Sequence, residues 1–534
     1  HHFTYSVLQV SDDESDITDI STEDPDSELN DTGSSDQGWS NSFTPIQIND
    51  FCGEAGVLFP RDFDISEATP LDYFSLFLHS NLFSDFVEHT NSYARWKMGH
   101  EGAADARWVD VSEVEMRCYI GLNVLMGINQ LPNYKLYWSR DNLFGNDGVK
   151  SIMTCNRYEK LTEYFHVSDR LYDTSGHDSN FDALYKARPL LDTVRASFKK
   201  LYRPSRYLSV DEAMIAMNGK LTFKQHMPPK LNKGGVKVWM LSDAENAYLL
   251  DFEVFHGRRG VKTSKNGLRY EAVRKLTKEL EGQNHCVFFD SFFTCEKLMM
   301  DLLDAGIYSC GMAQPNHKGF PKDLQQLTKM KRGEYRVQQK GHLTAILWQD
   351  TKQVAMMSTL SDPMEEMLIQ RRQGQEVIEV RQPHSIYVFN KYMNGVDRYG
   401  PLRAHYQVGR PGKEHWKNIT WFVINCAILN AFILYKETSI RVNKKKNYSH
   451  LDFRCELVRQ LIGGYSSRKR RSVPMDDNFV LHRNVVMGHE SVHMGYKRRC
   501  KVHLQKKVRK ETVYGCKICN IHLCKDGCHF QYHK

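Results

Sequence analysis

A short apolar run that ends in an acidic residue is the feature that most constrains how this chain can fold. In the segment HCVFFDSFFT, residues His285–Phe289 have the composition of a buried β-strand, and Asp290 follows directly. An upstream run, Tyr207–Val210, has the same character and ends in Asp211. A carboxylate at the end of a buried strand is costly to desolvate unless it is paired or binds a metal ion. Two such strands in one sheet would supply half of an oxygen-ligand site suited to Mg²⁺, although an Asp that ends a single strand is more often a turn residue.

The charge distribution divides the 534 residues unevenly. The formal net charge is +8, yet the first sixty residues contain no Lys or Arg, and residues 11–37 are acidic and rich in Ser. That segment cannot bury enough apolar surface to fold alone, so we expect residues 1–60 to form a disordered acidic tail. A basic body suggests a polyanionic partner, most simply nucleic acid, with a solvated basic surface as an equal alternative.

The periodicity of the apolar residues changes along the body of the chain. Spacings of three and four residues predict amphipathic helices from residue 70 to residue 205, and strand-like runs then mix with helices as in an α/β sheet. Three short strands between residues 335 and 357 predict an antiparallel meander, inserted before helical periodicity resumes at Ile386. The apolar run Trp421–Tyr435 is interrupted by Asn425 and Asn430 and is short for a membrane span. We therefore expect a buried helix there and no membrane partner.

A second chemical signal lies near the end of the chain. Paired soft ligands recur at zinc spacing in a basic context and without a secretory signal, which favours metal binding over disulfides. The candidates are Cys500, His503, Cys516, Cys519, Cys524, Cys528 and His533.

Several segments together resemble the transposases of the piggyBac family. The three acidic blocks are LSVDE at Leu208–Glu212, FFDSFFT at Phe288–Thr294 and NKYMNGVDRY at Asn390–Tyr399. Supporting blocks are TPLDYFSLF at Thr69–Phe77, HTNSYA at His89–Ala94, GLNVLMGI at Gly121–Ile128, YKARPLLD at Tyr185–Asp192 and NCAILNAFILYK at Asn425–Lys436. The resemblance runs from about Thr69 to the C-terminus and excludes the acidic tail.

The resemblance implies an α+β multidomain protein with an RNase H-like catalytic core. In this interpretation Asp211, Asp290 and Asp397 form a DDD triad that holds two Mg²⁺ or Mn²⁺ ions. In the piggyBac transposase another Asp follows three residues after the third, where this chain has Gly400. The implied domains are a helical dimerisation and DNA-binding domain in two parts (69–205 and 407–465), the core in two parts (206–316 and 385–406), a β-rich insertion (317–384), a basic linker (466–492) and a zinc domain (493–534).

The family's last domain is a cross-brace that binds two zinc ions through eight ligands. Seven correspond to the Cys and His residues given above, and we assign the eighth to His493. His489, His522 and His529 are the alternatives. The domain is too short for an apolar core of its own, so bound zinc is expected to supply its folding energy.

Basic residues near these sites are candidate phosphate contacts. They are Lys237, Arg258, Arg259, Arg398, Arg403, Arg410, Lys497, Arg498 and Arg499. For Arg398, an ion pair that orients Asp397 is an equal alternative.

These features predict a nuclear cut-and-paste DNA transposase that acts on double-stranded DNA as a homodimer. By resemblance it would nick and hairpin the transposon ends and integrate at TTAA sites, and no small-molecule substrate is expected. One alternative is a domesticated descendant that binds DNA or chromatin without transposition. A third possibility is a zinc-dependent protein-interaction module with a relic core.

Overall fold

The computed structural model describes residues 38–102, 104–169, 182, 184–216, 235–255, 266–316, 319–325, 330–373, 375–442, 447–467, 491–506, 508–516, 519–525 and 527–532. They belong to two compact units, His1–Arg468 and Lys469–Lys534. Each unit is described by itself.

Helices from both ends of the first unit form its helical part. They are α1 (Pro70–Ser75), α2 (Ser80–Glu101), α3 (Glu113–Ile128), α4 (Asp147–Ile152), α5 (Cys155–Tyr164), α6 (Arg188–Leu201), α12 (His415–Val442) and α13 (His450–Ile462). Local sequence determines where two of them begin. Thr69 and Ser449 each form a capping box with the Asp three residues later, which satisfies backbone N–H groups that helix geometry leaves unpaired.

Distant parts of the sequence meet inside this helical layer. The hydroxyl groups of Tyr73 on α1 and Thr438 on α12 are hydrogen-bonded at 2.7 Å. α12 is long and apolar enough to cross a membrane, but 94% of its most apolar window is buried inside the fold, as expected for a core helix. Arg454 on α13 is fully buried and donates to Asn425 Oδ1 on α12 at 2.6 Å; burial lowers its pKa to about 9. The buried helix predicted over Trp421–Tyr435 is confirmed.

A mixed sheet forms the centre of the first unit. Among the described residues it has eight strands, in the order β5-β4-β3-β6-β7-β10-β9-β8. β3 and β6, and β6 and β7, pair in parallel, and the other neighbours are antiparallel. The strands are β3 (Tyr207–Ala216), β4 (Gly235–Asp243), β5 (Leu249–Val254), β6 (His285–Phe289), β7 (Ile307–Met312), β8 (Tyr335–Lys340), β9 (Leu343–Gln349) and β10 (Gln353–Ser358).

The remaining elements cover the sheet or extend from it. Helices α7 (Leu268–Thr277), α8 (Glu296–Asp304), α9 (Lys322–Gln325), α10 (His384–Tyr392) and α11 (Gly395–His405) connect the strands, and two short strands, β1 (Gly56–Val57) and β2 (Tyr202–Arg203), form a separate pair. A hairpin of β11 (Glu366–Gln373) and β12 (Glu376–Pro383) makes a further two-stranded sheet.

The meander predicted between residues 335 and 357 exists, but it is not a separate layer. β10 pairs with β7, so β8, β9 and β10 continue the central sheet. The apolar side chains of Ile346 and Met356 share a core cluster with Phe288 of β6. The region that the sequence predicts as an insertion is therefore joined to the central sheet by backbone hydrogen bonds and by packing.

Residues 38–60 differ from the disordered tail expected there, because they pack along the sheet. Ser40 and Gln339 on edge strand β8 exchange two backbone hydrogen bonds of 2.9 Å. The Gln339 side chain accepts the Thr44 N–H at 2.8 Å and donates to the Thr44 carbonyl at 2.9 Å. Farther along, the Phe51 ring contacts the ring of His285 at 4.8 Å. These contacts are made by backbone groups, by the Gln339 side-chain amide and by one aromatic ring, which charge composition does not reveal.

The second unit is small. It contains β13 (Ser491–Arg499), α14 (Lys501–Gln505), β14 (Glu511–Cys516), β15 (Ile521–His522) and α15 (Cys528–Tyr532), and its strands form one antiparallel sheet. Its buried cluster is made largely of cysteines with Val502 and Leu523. So few apolar side chains offset little of the conformational entropy of folding, in agreement with the expectation that this unit needs a further source of stability.

Candidate functional site

Two of the predicted carboxylates, Asp211 and Asp290, follow paired residues on neighbouring parallel strands. Val210 of β3 pairs with Phe289 of β6, so Asp211 and Asp290 are the next residues along the two strands. Paired strands lie about 4.8 Å apart, so the two Asp backbones are side by side at one end of the sheet. Both side chains are half-buried. By strand alternation, Asp211 points to the same face of β3 as Ser209.

The third carboxylate reaches this face on helix α11. The backbone N–H of Val396 donates to Ser209 Oγ at 3.1 Å, which fixes the first turn of the helix on β3, two residues before Asp211. Gly395 permits this approach, since a Cβ at that position would lie 2.3 Å from Ser209 Oγ. Asp397, in the same first turn, is exposed. The fold therefore places the backbones of Asp211 and Asp290 side by side and docks the first turn of the helix that carries Asp397 on β3. β3 continues through Asp211 to Ala216, so Asp211 does not end its strand as the sequence predicted.

Aromatic packing holds the helix pair α10–α11 on this face. The rings of Tyr392 on α10 and Tyr207 on β3 stack with centroids 3.9 Å apart, and Phe389 contacts Phe288 at 6.4 Å. Asp290 is held in turn by local geometry: its Oδ1 accepts the Phe292 N–H at 3.0 Å, and its carbonyl accepts the Thr294 hydroxyl at 2.9 Å. The turn role expected of an Asp after a strand and the site role are thus compatible.

A cluster of cationic side chains lies near these carboxylates, on the face of the sheet opposite to the one that Asp211 points to. Lys237 on β4 is buried and forms an ion pair with Glu212, which follows Asp211. Its Nζ lies 3.9 Å from the centroid of the Phe292 ring, and Arg269 Cζ lies 4.2 Å from the same ring. Arg269 also donates to the Phe292 carbonyl at 3.1 Å. Burial lowers the pKa of Arg269, and the negative charge of Asp290 opposes that shift.

Arg269 was not among the sequence candidates. No motif marks it, because it lies at the start of a helix twenty residues before the acidic block. Only the fold brings it to the turn after β6.

Among the predicted DNA contacts, Arg398 is directed to backbone rather than to Asp397. Its guanidinium donates to the carbonyls of Ala244 and Glu245, the latter at 3.3 Å, and so joins α11 to the turn between β4 and β5. Arg258 and Arg259 lie outside the described residues.

Arg403 and Arg410 lie beyond the carboxylates, around the connection from α11 to α12. Arg403 Cζ is 4.8 Å from the Phe422 ring. Arg410 donates to the carbonyls of Leu131 and Pro132, the latter at 3.2 Å. The two arginines line one small cavity of about 50 Å³.

The residues at the sheet edge fit divalent cations. Asp211, Asp290 and Asp397 supply carboxylate oxygens from three distant positions in the chain, and Mg²⁺ and Mn²⁺ prefer oxygen ligands supplemented by water and substrate phosphate. Among the described residues, the oxygens of these three carboxylates do not form a group within 4.8 Å of one another. Asp211, Asp290 and Asp397 are the residues that would hold the ions.

A compact ligand cluster exists in the second unit. In the part of the chain that the structure describes, it is the one group of three or more potential metal ligands whose donor atoms lie within 4.8 Å of one another, and its members are Cys500, His503, Cys524 and Cys528. His503 Nδ1 lies 3.2 Å from Cys528 Sγ and 3.8 Å from Cys524 Sγ. Three thiols and one imidazole at such separations fit a tetrahedral Zn²⁺.

The ionisation of the thiols also favours a bound cation. Burial opposes ionisation of Cys500, but hydrogen bonds from the His503 side chain and from nearby backbone N–H groups lower its pKa to about 6. For Cys524, burial and the adjacent Cys500 raise the pKa to about 11. Without a positive charge among them, the thiols cannot all ionise; a Zn²⁺ held by these residues would supply that charge.

The other predicted zinc ligands are distributed around this cluster. Cys516 is buried, and its Sγ accepts the Cys519 N–H at 3.5 Å, as in a two-ligand turn. His493 is exposed on β13, and its Nδ1 accepts the Gly495 N–H at 3.3 Å. His533 lies outside the described residues. The structure thus brings four of the eight predicted ligands together and keeps His493 apart from them.

Of the alternatives to His493, His522 is buried and its Nε2 lies 3.0 Å from the Tyr496 carbonyl, and His529 is half-buried on α15. His489 lies outside the described residues. The predicted basic contacts Lys497, Arg498 and Arg499 are exposed on β13.

Comparison with known proteins agrees with this architecture. The family model described as Transposase IS4 matches residues 69–432. The chain is 26% identical over 456 residues to human PiggyBac transposable element-derived protein 5, covering 82% of this chain and 83% of that protein. It is 26% identical over 489 residues to human PiggyBac transposable element-derived protein 3, covering 89% of this chain and 78% of the relative.

A solved structure has the same fold. The cryo-EM structure of the piggyBac transposase synaptic complex with hairpin DNA matches with a TM-score of 0.66 and 22% sequence identity. The match covers 77% of this chain and 83% of that one.

Proposed function

The chain belongs to the piggyBac family of transposases, and from this premise we propose that it is a metal-dependent DNA transposase of the cut-and-paste type. The observation that supports the proposal is that Asp211 and Asp290 follow a paired position on two parallel strands, with the first turn of the helix that carries Asp397 docked on β3. Three carboxylates at that edge can bind two divalent ions. The strand order around β3 supports an RNase H-like core.

The chemistry expected at this edge is hydrolysis of the DNA backbone followed by strand transfer. Bound Mg²⁺ or Mn²⁺ would activate the attacking oxygen and stabilise the leaving one. The protein's contribution is geometric: β3 and β6 hold Asp211 and Asp290 side by side, and Ser209 anchors the turn that carries Asp397. Nicking, hairpin formation at transposon ends and integration at TTAA would all use this one site.

Substrate binding is assigned to two parts of the chain. The exposed basic strand β13 supports a role for the zinc unit in binding the transposon ends. In the first unit, the candidate phosphate contacts are Lys237, Arg398, Arg403 and Arg410, which also pair with Glu212, bind backbone carbonyls or contact the Phe422 ring. We further propose that the protein forms a homodimer on DNA, is located in the nucleus and binds two Zn²⁺ per chain.

A second candidate is a descendant that binds DNA without transposing it. Gly400 favours this candidate, because the position one helical turn after Asp397 has no carboxylate. The intact triad favours the enzyme.

An excision assay distinguishes the two candidates. A plasmid carries a marker bracketed by the terminal repeats of the element, and repaired donor sites are sequenced. The parent chain is expected to excise the marker and restore TTAA without a footprint, whereas Asp211→Asn, Asp290→Asn and Asp397→Asn should each abolish excision and leave DNA binding intact. DNA binding without excision by the parent would support the second candidate, and excision by any of the three variants would show that the triad is misassigned.

A further inference from the structure

The hairpin of β11 and β12 has one strand edge that is not paired with another strand. In the part of the chain that the structure describes, β11 pairs only with β12, in a register without a bulge. The inner face of the hairpin is covered, because Ile369 and Ile378 pack against the core cluster that contains Trp348. β11 has eight residues and no Pro. A regular edge of this length is a template for pairing with another strand.

Two hydrogen bonds show which backbone groups of β11 point to the free edge. The carbonyl of Glu365, just before β11, accepts the His384 N–H at 2.9 Å on the β12 side. On β12, the Arg381 carbonyl accepts Trp348 Nε1 at 2.8 Å and so turns away from its register partner Leu368. Inter-strand hydrogen bonds alternate along an antiparallel pair, so the even-numbered residues of β11 direct their N–H and C=O groups to the free edge. These residues are Glu366, Leu368, Gln370 and Arg372.

The side chains of these four residues lie on the exposed face of the hairpin and carry charge at both ends. Glu366 accepts the Tyr335 hydroxyl at 3.0 Å, and its ion pair with Arg381 is loose, at 3.9 Å. Arg372 is exposed and forms no ion pair with another described residue. Between the charged ends, the side chain of Leu368 is 64% exposed. The edge therefore has an acid at one end, a base at the other and an apolar residue between them.

A second copy of β11 fits this edge in one antiparallel register. Two-fold symmetry makes every contact between identical subunits occur twice. In the register centred on Ile369, Glu366 lies opposite Arg372 of the partner subunit, and Leu368 lies opposite Gln370 of the partner subunit. Both ion pairs are then on the exposed face, and the two Leu368 side chains are diagonal neighbours. A shift of the register by two residues in either direction would lose both ion pairs.

We propose that the free edge of β11 is an interaction surface for a second copy of this chain, which adds its own β11 antiparallel in the register centred on Ile369. The two hairpins then form one continuous sheet across a two-fold axis. Backbone hydrogen bonds hold the strands together, and the two pairs of Glu366 with Arg372 select the register. The contact goes beyond the proposed function, because it needs neither DNA nor a metal ion.

Charge reversal at the two ends of the edge tests this register. Sedimentation equilibrium of the full, zinc-loaded chain without DNA gives the Kd of self-association. Glu366→Arg and Arg372→Glu each replace two attractive pairs by two repulsive ones, so each should raise Kd by about tenfold or more. In an equimolar mixture of the two variants, each Arg of one chain meets a Glu of the other. The mixture should therefore associate with a Kd close to that of the parent.

Glu379→Arg is the matched control for charge reversal. Glu379 is exposed on the same face of the hairpin, but it lies on β12 opposite Gln370 and not on the free edge. Its reversal should leave Kd near the parent value, and thermal melts should show that all variants fold. At concentrations where the parent associates, amide hydrogen exchange should slow at Leu368 and Gln370. It should not change at Ile369, whose N–H points to β12.

The possible outcomes separate this contact from the proposed activity. A parent chain that stays monomeric at its highest soluble concentration would overturn the contact. Charge reversals with no larger effect than Glu379→Arg, or a mixture that stays as weak as its components, would also overturn it. Association that appears only after DNA is added would overturn it and keep the homodimer on DNA. A parent that self-associates with the expected charge effects but does not excise DNA would remove the proposed activity and keep the contact.

Discussion

The two candidate metal sites of this molecule are built in opposite ways. At the carboxylate site, a buried eight-stranded sheet and a docked helix fix the ligands, so the protein fold exists before any ion binds. In the second unit, the candidate ligands Cys500 and Cys528 belong to a buried cluster of only five residues, and Cys524 packs against it. Removal of the metal should therefore leave the first region folded and inactive, whereas it should unfold the second.

Zinc removal is expected to have the largest effect. Cys524→Ser removes one of four clustered ligands, and the apparent free energy of structural zinc binding is about 10–16 kcal/mol. Residues 491–532 should lose protection from amide hydrogen exchange, while the first unit keeps its melting temperature. Zinc content should fall by more than one ion per chain, because both proposed zinc ions belong to the unit that unfolds. The control is Cys52→Ser, at an exposed cysteine outside the unit. If the second unit of Cys524→Ser keeps its protection from amide hydrogen exchange, the interpretation that metal ligation holds this unit folded is contradicted.

Removal of a carboxylate from the first unit should lower activity and leave the unit folded. Asp290→Asn should lower the rate of nicking by more than about a hundredfold, since even indirect changes at metal sites cost 10–100-fold. The melting temperature should stay the same or rise, because a half-buried charge is removed. Asp304→Asn, at an exposed position on α8, is the control. A large loss of stability in Asp290→Asn would mean that this site, too, is needed for folding.

Gly395 tests whether the helix position defines the carboxylate site. In Gly395→Ala the new Cβ would lie 2.3 Å from Ser209 Oγ, so α11 must shift at a cost of about 1–3 kcal/mol. We expect a lower melting temperature and weaker Mn²⁺ binding in titrations. Gly400→Ala is the matched control, because nothing lies within 4 Å of a Cβ there. Equal behaviour of the two variants would show that the contact with Ser209 does not control the site.

Truncation of the N-terminal segment tests how much its contacts with edge strand β8 stabilise the preformed sheet. Removal of residues 1–37 should leave stability unchanged, whereas removal of residues 1–52 should expose edge strand β8 and leave the buried Gln339 side chain without Thr44. An unpaired buried polar group costs about 1–3 kcal/mol. Chemical denaturation of the two truncations measures the difference. A chain lacking residues 1–52 that is as stable as the parent would show that these contacts contribute nothing.

The smallest effect is expected at position 400. Gly400→Asp would add a carboxylate one turn after Asp397, in a space that is open. Affinity for Mn²⁺ should rise by a few-fold, and Gly400→Asn should not reproduce the change because it adds no charge. If both variants raise the affinity equally, helix stability rather than charge is responsible.

Sequence predicted the parts of this molecule that depend on local pattern. The strand that ends before Asp290, the helix that carries Asp397 and the buried helix over Trp421–Tyr435 were each readable from residue type and spacing. The strand predicted to end at Asp211 instead continues to Ala216, because its later residues pair with β4. It did not reveal how distant elements pair. The joining of β10 to β7, the course of residues 38–60 and the approach of Arg269 to Phe292 all depend on long-range contacts that leave no periodic signature.

The most direct test of a preformed carboxylate site is to map where a divalent ion binds in the first unit. Fe²⁺ replaces Mg²⁺ in the zinc-loaded full chain, hydroxyl radicals are generated, and the backbone cleavage sites are identified by mass spectrometry. We predict cleavage close to residues 211, 290 and 397, three positions far apart in sequence, and loss of all three cleavages in Asp290→Asn. Cleavage at only one of these positions, or cleavage that persists in Asp290→Asn, would contradict a preformed carboxylate site at the edge of the sheet.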